Sequence, residues 1–271
     1  MTPSSNPALS DHALQESLGS LTGQEVATVG GVGVKTAMFL SIAAAIGGVG
    51  YAVVQSNPPA MVWINLVAFV VTLGVFFGIR ANAGLAMVLG FVYSAAQGFL
   101  LGGVAAMFDL ILAKQGNGLP GGIALTAALM TGGVTTGMLI LYTTRIVRPS
   151  KTLAMILSGA TLGIMLVYLA AFLVSWLLPS FAHFFKFFTL QSAMEGGTGA
   201  WIGLGVNLVI LAIASFWLVI DFGQIEEAIS RRVPKQAEWY LAFGLLVTIA
   251  WVYFECLKVA FRIAQLLGNR R

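Results

Sequence analysis

The sequence predicts an all-α integral membrane protein with six or seven transmembrane helices, on three observations. Of 271 residues, 58% are hydrophobic and only 9% are charged, against about 25% charged in soluble domains. A chain this apolar cannot cover itself with polar surface, so the bilayer is its solvent and lipid its first partner. Charge-free runs recur at roughly the 20 residues a helix needs to cross hydrocarbon. Turn-forming and basic residues stand between those runs. The net charge of +4 sits in loops and at the C-terminus. It forms no basic face interleaved with aromatics, so no nucleic-acid partner is expected.

Residues 1–34 are polar and small, with Ser4, Ser5, Asn6, Pro7 and the acids Asp11, Glu16 and Glu25. This is expected to be a disordered tail, leaving 35–271 as a single transmembrane domain. No basic stretch leads into an early apolar core, so the start is not a secretory signal peptide. The run from Gly30 to Thr36 fails as a phosphate loop, because Val34 stands where that loop needs Gly before the Lys.

From Thr36 the chain carries no charge until Arg80, and Ser56-Asn57-Pro58-Pro59 divides it into helices at 36–55 and 60–79. A third run, 81–108, ends at Asp109; Asp109 and Lys114 read as loop charges. A Gly/Pro-rich link precedes a fourth helix at 123–142, closed by Arg145, Arg148 and Lys151. The fifth runs over 152–178 and stops at Pro179. The aromatic stretch from Phe181 to Phe188 is too short to span and suits the interface. A sixth helix covers 196–220 and continues in amphipathic form towards Ser230. The last candidate, 239–254, is short, and becomes a full span only if Glu255 lies within the membrane or the protein interior. Glycines four apart (Gly74/Gly78, Gly133/Gly137, Gly159/Gly163, Gly199/Gly203) read as helix-packing positions.

With seven spans, the N-terminal side carries Lys35, Arg80, Arg145, Arg148, Lys151, Arg231, Arg232 and Lys235, and the other side only Lys114 and Lys186 before the C-terminal segment. The positive-inside rule then places the N-terminus in the cytoplasm. Lys258, Arg262, Arg270 and Arg271 would face outside, a conflict that a buried or re-entrant last helix removes. The single cysteine, Cys256, excludes an internal disulfide, and His12 and His183 lack partners at ligand spacing for a zinc site.

Asp221 follows 25 uncharged residues in an unbroken helical pattern, with Gln224 one turn on. Glu255 is its counterpart in the last helix, within Trp251-Val252-Tyr253-Phe254-Glu255-Cys256-Leu257. Intramembrane carboxylates are costly unless protonated, paired or wetted, which makes them functional candidates; the plainer alternative is that each marks a helix end at the interface. If the two meet, they titrate as a coupled pair sharing a proton, which senses pH and, deprotonated, holds a cation. Arg80 is either a countercharge for Asp221 or an ordinary anchor at the membrane surface.

Several stretches resemble the Bax inhibitor-1 family in its bacterial branch. They include Ser4-Ser5-Asn6-Pro7-Ala8-Leu9, Thr28-Val29-Gly30-Gly31 with Lys35-Thr36, and Tyr93 to Gly103. The most specific are Asp221-Phe222-Gly223-Gln224-Ile225-Glu226 and the block from Glu238 through Phe243-Gly244-Leu245-Leu246-Val247-Thr248 to Trp251-Val252-Tyr253-Phe254-Glu255. The resemblance implies a seven-transmembrane-helix bundle with helix seven buried at the centre. It also implies a pH-sensitive calcium leak in a bacterial inner membrane, with a carboxylate pair falling on Asp221 and Glu255 and transient calcium there. Glu255 stands where many relatives have Asp, and Gln97 where the bacterial branch commonly has Glu.

The leading expectation is therefore a passive, proton-regulated calcium pathway without bound cofactor. A non-conducting regulator that binds other membrane proteins is the alternative. An intramembrane aspartyl protease is disfavoured, because its second acid sits in Gly-x-Gly-Asp and this chain has Val252-Tyr253-Phe254-Glu255. No nucleotide site or nucleophile triad is visible, so a non-enzyme is expected.

Overall fold

The computed structural model describes residues 25–57, 61–177 and 191–268. Seven helices follow in order: α1 (Val29–Ser56), α2 (Met61–Ala81), α3 (Ala86–Lys114), α4 (Gly122–Thr143), α5 (Lys151–Leu177), α6 (Gly197–Ser230) and α7 (Ala237–Gly268). A 3-10 turn, Ala83–Leu85, leads into α3, and a single helical turn, Gln191–Glu195, precedes α6. Among the described residues, six helices are long and apolar enough to cross a membrane, and α2 adds a shorter apolar stretch over Asn65–Ala81. Among the described residues no strand forms; one isolated bridge joins Val26 to Pro234. The expected tail over 1–24 and the aromatic stretch 181–188 lie outside the described residues.

Each helix starts or stops where local chemistry supplies the missing partners. Thr28 Oγ1 caps α1 by accepting from Gly31 N at 3.0 Å, so α1 begins at Val29 and not at 36. Asp109 belongs to α3 and not to a loop. Its carboxylate accepts Ile123 N at 3.0 and 3.1 Å, capping α4 from a neighbouring helix, and Tyr51 Oη donates to it at 2.9 Å.

Burial grades the helices by position. In α5 only Leu157 and Ala171 are buried, while Met155, Phe172 and Trp176 are more than two-thirds exposed, as lipid-facing side chains are. Over its most apolar window α7 is 78% buried, against 11% for α5 and 44% for α3 and α6. It packs against α1, α3, α4 and α6. Phe39, Phe91 and Trp239 form a three-ring cluster at 5.2–5.6 Å, and Tyr93 meets Phe243 edge-on at 5.0 Å. These rings fix the first half of α7.

The closest backbone approach joins α1 to α3, and its glycines are not the predicted pairs. A Cβ on Gly102 would stand 1.9 Å from Gly47 O, and one on Gly98 2.2 Å from Ala43 O. Around Gly74, Gly133, Gly137, Gly159 and Gly163 nothing lies within 4 Å, so those positions are not helix contacts.

The last helix differs most from expectation. It runs 32 residues to Gly268, twice the 16 of 239–254, because its charged positions are enclosed by protein. Glu255, Lys258, Arg262 and Gln265 are 2%, 6%, 0% and 1% exposed. Lys258 and Arg262 thus face the interior and not the outside, which removes their conflict with the positive-inside rule.

Candidate functional site

Glu255, Lys258, Arg262 and Gln265 are spaced three, four and three apart, which places them on one face of α7. Glu255 Oε1 takes two partners: Lys258 Nζ at 2.7 Å and Trp251 Nε1 at 3.3 Å. Oε2 of the same carboxylate accepts no hydrogen bond, and Asn207 of α6 approaches the group from across the interface. Lys258 Nζ also donates to Tyr168 Oη of α5 at 3.1 Å and lies 4.9 Å from the Phe254 ring. One turn further, Arg262 donates to Asn207 Oδ1 and, at 2.8 Å, to Ser192 Oγ of the helical turn before α6. A Cβ at Gly203 would collide with this guanidinium, so that glycine makes room for it.

Asp221 is 0% exposed on α6, among Trp217, Leu218, Ile220 and Ile225. The register of the α6–α7 hairpin sets it at another depth from Glu255. The contact between Arg262 and Asn207 ties the helices fourteen residues before Asp221, about 21 Å along α6. Glu255 is only seven residues, about 10 Å, from Arg262 along α7. The two carboxyls are therefore offset by about 10 Å along the bundle, too far to share one proton directly. Gln224 lies half-buried one turn beyond Asp221. Arg80 is exposed in the last turn of α2, near enough to Tyr240 to act on its hydroxyl.

At the end that carries the basic loops, a second polar cluster fastens the start of α1 to α7. Glu238 is 1% exposed; its carboxylate accepts Thr28 N at 2.8 Å and Thr28 Oγ1 at 3.2 Å, and pairs with Lys35. Ala27 N donates to Val233 O at 2.9 Å and Lys235 N to Glu25 O at 2.8 Å. The Lys235 ammonium pairs with Glu25, which holds its pKa above the ordinary lysine value. Residues 25–28 are thereby laid antiparallel on the α6–α7 loop.

Sequence reasoning missed Lys258, Arg262, Asn207 and Glu238 as site residues. The three-four-three spacing on α7 was a readable signal for the first two. Glu238 and Thr28 are 210 residues apart, and no local pattern announces their contact. Among the described residues no three His, Cys, Asp or Glu side chains gather as a metal site.

A family profile described as Bax inhibitor 1 like matches residues 6–265. No curated protein and no solved structure matches the chain. With a helical membrane architecture and a profile match over nearly its whole length, the chain belongs to the Bax inhibitor 1 like family.

Proposed function

We propose that this protein is a pH-sensitive calcium leak of the Bax inhibitor-1 type, with a seven-span bundle around α7, set in a bacterial inner membrane with a cytoplasmic N-terminus. It is a pathway and not an enzyme. The observation that carries the reading is the presence of two acids, Asp221 and Glu255, each almost fully buried on a helix long and apolar enough to cross a membrane. Burying a carboxylate there is costly, and such residues mark ion and proton pathways. Given their offset, Asp221 and Glu255 serve as successive stations along α7, each titrating in its own surroundings. Gln224 lies one turn beyond Asp221 on the same helix. Calcium flux into dye-loaded proteoliposomes across pH 5 to 8 tests the reading. Wild type should leak with a pH midpoint that Asp221→Asn and Glu255→Gln each shift. Absence of flux throughout that range would sink it.

One observation favours a second reading, a non-conducting regulator of other membrane proteins. Glu255 already has a cationic partner in Lys258, so that level is internally neutralised as a purely structural pair would be. Co-purification of a membrane partner, with no flux at any pH, would establish it.

A further inference from the structure

The Glu255–Lys258 pair has a feature that structural neutrality does not need. Both partners sit on α7, three residues apart, yet the ammonium is held from three sides: by Glu255 Oε1 at 2.7 Å, by Tyr168 Oη of α5 at 3.1 Å, and against the rings of Phe254 and Tyr168 at 4.9 and 5.4 Å. Oxygen donors and ring faces together make a cation seat. Meanwhile Glu255 Oε2 is buried and accepts no hydrogen bond, so the carboxylate keeps coordinating capacity in reserve.

We propose that Lys258 is a tethered cation that occupies a metal-cation site at Glu255, and that passage at this level requires the ammonium to leave the carboxylate. The inference rests on the cation-pathway reading and adds the residue that closes it. A lysine suits the part: its charge is compact and point-like, on a flexible four-carbon stem, so it can stand where a small cation would and swing aside. The ligands left for an entering cation are both Glu255 oxygens and the Tyr168 hydroxyl. Asn207 is shared with Arg262.

Trp251 provides the probe, since its indole nitrogen is 3.3 Å from Glu255 Oε1. Terbium bound at this carboxylate would be sensitised by excitation of that indole. Full-length protein in phospholipid vesicles would be compared as wild type, Lys258→Met, Lys258→Arg, and Lys258→Met combined with Glu255→Gln or with Trp251→Phe. Lys258→Met should raise calcium flux at least tenfold and gain terbium emission. Either second substitution should remove most of that emission, and Lys258→Arg should behave as wild type. Should the methionine variant prove unstable, Lys258→Gln carries the same test. Where wild type conducts, a Lys258→Met protein with unchanged flux overturns the proposal, whether or not terbium binds, and leaves the conducting reading standing. Terbium emission gained with no flux in any protein keeps the tethered-cation site and defeats the conducting reading instead.

Discussion

Substituting Gly102 by Ala should loosen the α1–α3 contact and with it the bundle. The added methyl would lie 1.9 Å from the Gly47 carbonyl oxygen, 2.6 Å from its carbon and 2.8 Å from its Cα. These are backbone atoms, so no side chain can rotate out of the way. Reaching an ordinary contact of about 3.4 Å requires the helices to part by about 1.5 Å there. The same contact seats Gly98 on Ala43 at 2.2 Å and Gly50 on Phe99 at 2.3 Å, so the separation costs packing over several turns. Without a hydrophobic force between helices in lipid, that packing is the main attraction. A cost of about 3 kcal/mol, the upper end of the range for overpacking, follows. Gly133→Ala is the control: nothing lies within 4 Å of that position, and removing a helix-interior glycine there should gain about 0.5–1 kcal/mol. Unfolding in mild detergent, followed by circular dichroism, should separate the two variants by about 4 kcal/mol in total. Equal stabilities would refute the argument, since they would mean that α1 and α3 do not cross on these glycines.

The remaining predictions concern the helix ends and one buried thiol. Glu238→Ala strands Thr28 N and the Lys35 ammonium and should cost about 2–3 kcal/mol; proteolysis at residues 25–28 should then be faster than in the native protein. Asp109→Ala removes the acceptor for Ile123 N and Tyr51 Oη and should cost about 1–2 kcal/mol, with Asp109→Asn recovering part of it in the same unfolding assay. Arg145 holds φ at 58° after the end of α4, so Arg145→Gly should stabilise by about 1 kcal/mol. Cys256 is fully buried and should resist maleimide in native vesicles while reacting fully in denaturant.

What the sequence made legible follows from which forces act locally. Uncharged runs and the Pro58-Pro59 break fix helices within a few residues, because a helix in lipid must satisfy its own backbone. The α1 start moved to Val29 because Thr28 and Gly31 make a cap that hydropathy cannot register. Asp109 and Lys258 were misplaced for a shared reason: charge reads as loop when its partner is unseen, and those partners come from α4 and α5. The depth of the two acids was legible in a different way. Asp221 lies ten residues before Arg231, where the hairpin turns, and Glu255 lies nineteen after Gln236, where the turn ends. Antiparallel helices rising equally per residue cannot bring those positions level. Counting from a turn thus constrains a proposed pair before any side chain is placed. On the same count, Glu255 falls beside residue 212 of α6, within about two turns of Asn207, which acts on Glu255 and is also reached by Arg262. The partners that decide the chemistry of Glu255 are accordingly Lys258 and Asn207, and a mechanism for this chain has to begin with a carboxylate that already holds a cation.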